Sequence, residues 1–162
     1  MAKEPKHVTK YKERHLSDGE SVIAWGEGYI GEALGKGDKA QQNGALVVTE
    51  TLVAFYRKGF LGEILETMPL KNITSIERKS TMGHRTIRLH TSHDDLAFKT
   101  FQKDNEEAIV QAIEDGRSKA GASVKAESDG LDKLKKLAEL RDAGVLSEAE
   151  FIDKKEKILE EI

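Results

Sequence analysis

The chain has 162 residues, enough for one ordinary domain or a small domain with an appendage. It holds no cysteine, which excludes disulfides and thiolate metal sites, and its 6% aromatic against 34% charged residues suit a modest core. The net charge of −3 is uneven: residues 44–103 carry 9 Lys/Arg and 6 Asp/Glu, net +3, whereas residues 104–162 carry 10 and 16, net −6, a pattern that bears on association more than on any reaction.

No apolar run approaches the ~20 residues of a bilayer span, and Met1 to His15 lacks the apolar core of a leader, so the expectation is a cytoplasmic protein without integral membrane segments. Residues 1–16 read as a flexible or weakly helical arm. Ser21–Trp25 and Tyr29–Leu34 read as two short strands. Between them Gly26-Glu-Gly-Tyr-Ile-Gly31 matches G-x-G-x-x-G, but a dinucleotide site needs a helix to open there. A turn, Gly35-Lys-Gly-Asp, and a further strand follow instead. Gly31–Gly37 lacks the Lys-Ser/Thr pair of a P-loop.

Gly44–Thr49 and Thr51–Tyr56 are two apolar β runs about a turn at Glu50. Leu61–Met68 follows, with Ile64 and Leu65 breaking strict alternation as a bulge would, and Pro69 ends it. Ile73 and Ile76 lead to a turn at Met82-Gly-His84. Thr86–Thr91 then alternates, with Ile87 and Leu89 on one face and Arg88 and His90 on the other. Leu96, Phe98 and Thr100 alternate after another turn. Asp104 caps a helix over 105–113 whose apolar face is Ala108, Ile109, Ala112 and Ile113. Residues 116–130 are small and polar, the chemistry of a linker. Short strands closed by one helix predict a small antiparallel sandwich or barrel over residues 17–115.

The order Gly44-Ala-Leu-Val-Val-Thr-Glu-Thr-Leu-Val-Ala-Phe-Tyr56, then Met68-Pro-Leu-Lys-Asn-Ile-Thr-Ser-Ile76, the strand Thr86–Thr91, the strand bearing Phe98 and the closing helix resembles the bacterial pleckstrin-homology-like family over about residues 18–115. The resemblance implies two roughly orthogonal sheets capped by a helix, serving as a ligand or protein platform and not as an enzyme.

The last segment, 131–162, reads as a two-helix hairpin. Leu131, Leu134, Leu137 and Leu140 recur every three residues. Gly144 stands where a left-handed cap is wanted, and Ser147 with Glu150 forms a capping box. Phe151, Ile158, Leu159 and Ile162 share the face of the second helix. The stretches Leu134-Lys-Lys-Leu, Leu140-Arg-Asp-Ala-Gly-Val-Leu-Ser and Glu150-Phe-Ile-Asp-Lys-Lys-Glu-Lys-Ile-Leu resemble the short C-terminal domain (SHOCT) family, found at the ends of many bacterial and phage proteins. That resemblance implies an appended oligomerisation or interaction module without catalysis. The fold class expected overall is α+β: a PH-like β domain capped by one helix, plus a C-terminal helical hairpin.

No constellation of catalytic chemistry is visible, and no cofactor or metal is called for. His90, His93, Asp94 and Asp95 straddle a turn, and Ser75, Ser80 and Ser92 lack a nucleophile context. Glu106-Glu107 and Glu160-Glu161 read as solvated helix surface. Two binding surfaces are predicted. The first is an apolar docking face, Leu134, Leu137, Leu140, Phe151, Ile158 and Leu159, for a second copy of the chain or another protein. The second and rival surface is a basic strand face, Lys79, Arg85 and Arg88, for phosphate or an anionic lipid headgroup in peripheral membrane binding. Lys36 and Lys39 do not reproduce the basic motif of phosphoinositide binders. Net acidity and few aromatics weigh against nucleic acid. The expected function is a non-enzymatic binding or scaffold protein.

Overall fold

The computed structural model describes residues 3–160. Helix α1 (Lys6–Arg14) precedes seven strands: β1 (Val22–Ile30), β2 (Gln42–Thr49), β3 (Leu52–Lys58), β4 (Glu63–Pro69), β5 (Ser75–Thr81), β6 (His84–His90) and β7 (Asp95–Thr100). Helices α2 (Lys103–Asp142) and α3 (Glu148–Glu160) follow. The chain divides into two compact units, residues 1–117 and 118–162.

In the first unit the strands form one antiparallel sheet in the order β4-β3-β2-β1-β7-β6-β5. Its inner face packs Leu46, Val48, Phe55, Ile87, Leu89 and Phe98 with Ile109, Val110 and Ile113 from α2. The run Ala45-Leu-Val-Val48 does not alternate because both of its faces are buried. On the outer face Ala45, Val47, Ala54 and Tyr56 pack with Val8 and Tyr11 of α1. The first sixteen residues, expected as a flexible or weakly helical arm, therefore contain a helix that is packed on the sheet. Val8 and Tyr11, three residues apart, present one apolar stripe to the sheet.

The two strands expected over Ser21–Trp25 and Tyr29–Leu34 are one, β1, which runs through Gly26 and Gly28; residues 31–41 form the loop. A Cβ on Gly28 would lie 2.1 Å from the Lys99 carbonyl oxygen and 2.5 Å from the Phe98 ring. Gly28 lets β1 pass close to β7, where Tyr29 pairs with Lys99, and Gly26 leaves room for Ile109 of α2. The glycine pattern that mimics a dinucleotide motif thus has a packing cause.

Residues 116–130, expected as a flexible linker, are helical within α2. Ala, Lys, Glu and Arg supply seven of its fifteen residues, and their helix propensity outweighs the cost of Gly116, Gly121 and Gly130. In the second unit the hairpin ends are those expected. Gly144 has φ 73°, and the Val145 N–H donates to the Leu140 carbonyl at 3.0 Å, closing the C-terminus of α2. The Ser147 N–H and hydroxyl both donate to Glu150 Oε2, at 2.9 and 2.8 Å.

Candidate functional site

The predicted docking face separates into three environments. Leu137 is buried, Leu134, Phe151 and Ile158 are half-buried, and Leu140 and Leu159 are 43% and 52% exposed. The Arg141 guanidinium stands 4.5 Å from the Phe151 ring centroid. Leu131, Val145 (67%) and Ile152, which the sequence reading left off this face, are exposed as well. Among the described residues of this unit Leu137 is the one large apolar side chain that is buried.

The basic strand set is split by the pleat. Cross-strand pairs share a face, so Lys79 (opposite Thr86) and Arg88 (opposite Glu77) lie on the outer face. Arg85 (opposite Ser80) lies on the inner face with Arg78. There Arg78 donates to Glu106 from Nε at 2.6 Å and Nη2 at 3.0 Å, and Arg85 Nη1 lies 3.4 Å away. Glu106 is only 2% exposed, a correction to its reading as solvated surface. The Arg78 hydrogen bond, against the opposing effect of burial, holds its carboxyl below the ordinary range, and Arg85 adds to this. The signal was available: Glu106 shares helical phase with Ile109, Val110 and Ile113. Arg88 has Asp95 3.9 Å away.

A second carboxylate hub fastens α1. Glu63 accepts from the Tyr56 hydroxyl at 3.0 Å and meets His15 Nε2 at 3.0 Å and Arg14 at 3.3 Å. Burial opposes ionisation of Glu63, yet these partners hold its carboxyl below the ordinary range. At the other end of α1, His7 Nδ1 accepts the Lys58 N–H at 3.2 Å, and burial holds the His7 pKa down.

Beside α1, on the outer face, lies an open cavity of about 530 Å³. His7 forms one wall. Tyr29, Asn43, His84, Phe101 and Gln102 contribute others. The Phe101 and His84 rings are 4.3 Å apart, and the Tyr29 hydroxyl is 3.2 Å from His84 Nδ1. The sequence reading took His84 as a turn residue and did not single out Tyr29 or Phe101.

A family model for a bacterial PH domain matches residues 16–115. The chain belongs to the bacterial PH domain family. A model for the short C-terminal domain, SHOCT, matches residues 132–159. No curated protein matches the chain. Among solved structures, it is similar to the C-terminal domain of an unknown protein from Leishmania infantum (18% identity, 60% of this chain and 85% of that one, TM-score 0.47). The Vps36 N-terminal PH domain is 15% identical, with 64% and 83% covered and a TM-score of 0.47. A DUF1696 family protein with a pleckstrin-homology domain from Shewanella loihica PV-4 is 18% identical, with 70% and 99% covered and a TM-score of 0.46.

Within this PH-like unit the turn residues His93, Asp94 and Asp95 assemble no ligand set, and no group of three or more His, Asp or Glu among the described residues is placed to hold a metal. Among the same residues no helix is long and apolar enough to cross a membrane.

Proposed function

We propose that the protein is a non-enzymatic scaffold in which the PH-like unit is a binding platform and the SHOCT hairpin assembles copies of the chain. One observation carries this reading: Leu131, Leu140, Val145, Ile152 and Leu159 are exposed in a helical unit whose own interior is small. A helix as short as α3 gains most of its stability from burying an apolar face, and each leucine fully withdrawn from water contributes roughly 1.5–3 kcal/mol. A second copy supplies such a face by symmetry, since a two-fold interface needs only one self-complementary patch.

The test is light scattering after size exclusion on the full chain and on Leu140→Asp with Leu159→Asp. Both side chains are exposed, so the substitutions leave the hairpin's capping box untouched. The expected outcome is a multimeric mass for the parent and a monomeric one for the double variant. Equal masses would reject self-assembly through this face. The rival reading, an anionic-ligand or membrane-surface platform, gains less support from the geometry, because Arg85 is turned inward onto Glu106 while Lys79 and Arg88 face outward. Co-sedimentation with vesicles containing anionic lipid, with and without Arg88→Glu, separates the two.

A further inference from the structure

The outer-face cavity has a chemical composition of its own. Phe101 is 64% exposed although it sits at the end of β7 and not at a hairpin tip. One side of its ring is taken by His84. On another wall of the same cavity, on β2 and the residue before it, the Gln41 side-chain N–H donates to Asn43 Oδ1 at 3.0 Å. That bond leaves Gln41 Oε1 and Asn43 Nδ2 as a neighbouring acceptor and donor. Strand register adds charge: Lys79, Thr86, Lys99, Tyr29 and Asn43 form one row across β5, β6, β7, β1 and β2. Lys99 Nζ lies 5.7 Å from the Tyr29 ring centroid and donates to the Gly31 carbonyl at 3.1 Å; the two lysines stand beside the cavity and do not line it, and Glu27 is its acidic wall residue. A flat apolar ring, a paired donor and acceptor, and cations along the same row are three separate requirements of one ligand class.

We propose that this cavity binds a nucleobase with its attached phosphate, the base stacking near Phe101, its hydrogen-bonding edge meeting Gln41 and Asn43, and the phosphate drawn toward Lys99 and Lys79. A base is planar and apolar on its faces, and its edges carry adjacent donors and acceptors. The cavity volume falls in the usual range of roughly 300–1,000 Å³ for small-ligand sites. The shared chemistry has two sources, a free nucleotide or a single strand of nucleic acid, and both are anionic as the lysine row requires.

The experiment is calorimetric titration of the full chain with adenosine monophosphate, uridine monophosphate, ribose 5-phosphate and an oligo-dT of about twelve nucleotides. Binding of a mononucleotide as tight as that of the oligomer assigns the free nucleotide. Binding of the oligomer alone assigns a single strand. In either case Phe101→Ala weakens binding about five-fold or more, as loss of a stacking platform does. Asn43→Ala, at a second exposed position, weakens it too and covers the case in which Phe101→Ala fails to fold. No binding by any base-containing probe up to about 1 mM overturns the proposal. So does ribose 5-phosphate binding as well as the nucleotides, or affinity unchanged in a folded Phe101→Ala or Asn43→Ala protein.

Discussion

Glu106 loses its water and gains two guanidinium groups, and the balance sets a pH dependence. Its folded pKa lies below the ordinary carboxylate value of about 4.3 because Arg78 hydrogen-bonds the ionised form. Between the two values the unfolded chain binds more protons than the folded one. The contribution is therefore complete above the unfolded pKa and is lost as pH falls through the folded one. Glu106→Gln is expected to cost about 2 kcal/mol at neutral pH, less than the ~3–5 kcal/mol of a fully buried pair because Arg78 is half exposed. Urea denaturation at neutral pH and near pH 3.5 checks this: the gap between parent and variant should narrow in acid. Equal stability at neutral pH would show that the pair contributes nothing net. The residue's role was hidden because charge type suggests solvent, whereas its phase on the helix, three and seven residues before Ile109 and Ile113, points to the core.

At the scale of elements, β2, β3, β6 and β7 stand in the sequence much as the fold has them, whereas β1 reads as two strands and β5 is not marked as one. The alternation of β6, with Ile87 and Leu89 in and Arg88 and His90 out, is the one that the fold displays. Patterns failed where a partner from elsewhere in the chain decides the outcome. Gly26 and Gly28 look like strand breakers until β7 and α2 are set against them. The 116–130 stretch looks like a linker because its residues are small, yet small residues also tolerate a helix. Gly121 is the sharp case: a Cβ there would meet nothing within 4 Å. Gly121→Ala is accordingly expected to stabilise α2 by about 0.5–1 kcal/mol and to raise helical circular dichroism. A flexible linker would leave the helical signal unchanged. Gly116 of the same helix behaves differently, since its Cβ would stand 2.5 Å from Leu70 Cδ1, so Gly116 and Gly121 carry opposite expectations.

For the molecule as a whole, the apolar positions of α2 that complete the β-domain core, Ile109, Val110, Ala112 and Ile113, all precede the boundary at residue 117. A chain ending at Arg117 should keep the cooperative unfolding and near-ultraviolet signal of the first unit, because Arg117 also donates to the Thr74 carbonyl at 2.9 Å and so ends on a fastened residue. Loss of that transition would mean that residues beyond 117 are needed for the β domain. The β-rich segment was legible from its strand patterns and the C-terminal hairpin from its capping signals, whereas the linker that composition suggests between them is helix. The cavity was not, because its walls come from α1, β1, β2, β6 and the end of β7, and no local pattern announces that Tyr29, Asn43, His84 and Phe101 meet.

The hub at Glu63 bears on how this sequence can change over generations. Arg14, His15 and Tyr56 share one carboxylate, so their substitutions are not independent events. Replacing Arg14 first leaves His15 and Tyr56 with a role to lose, whereas replacing Glu63 first lowers the cost of a later change at Arg14, while His15 keeps its ring contacts with Tyr11 and Tyr56. The order in which mutations arrive, and not only their identity, thus decides which descendants of this chain remain folded around α1.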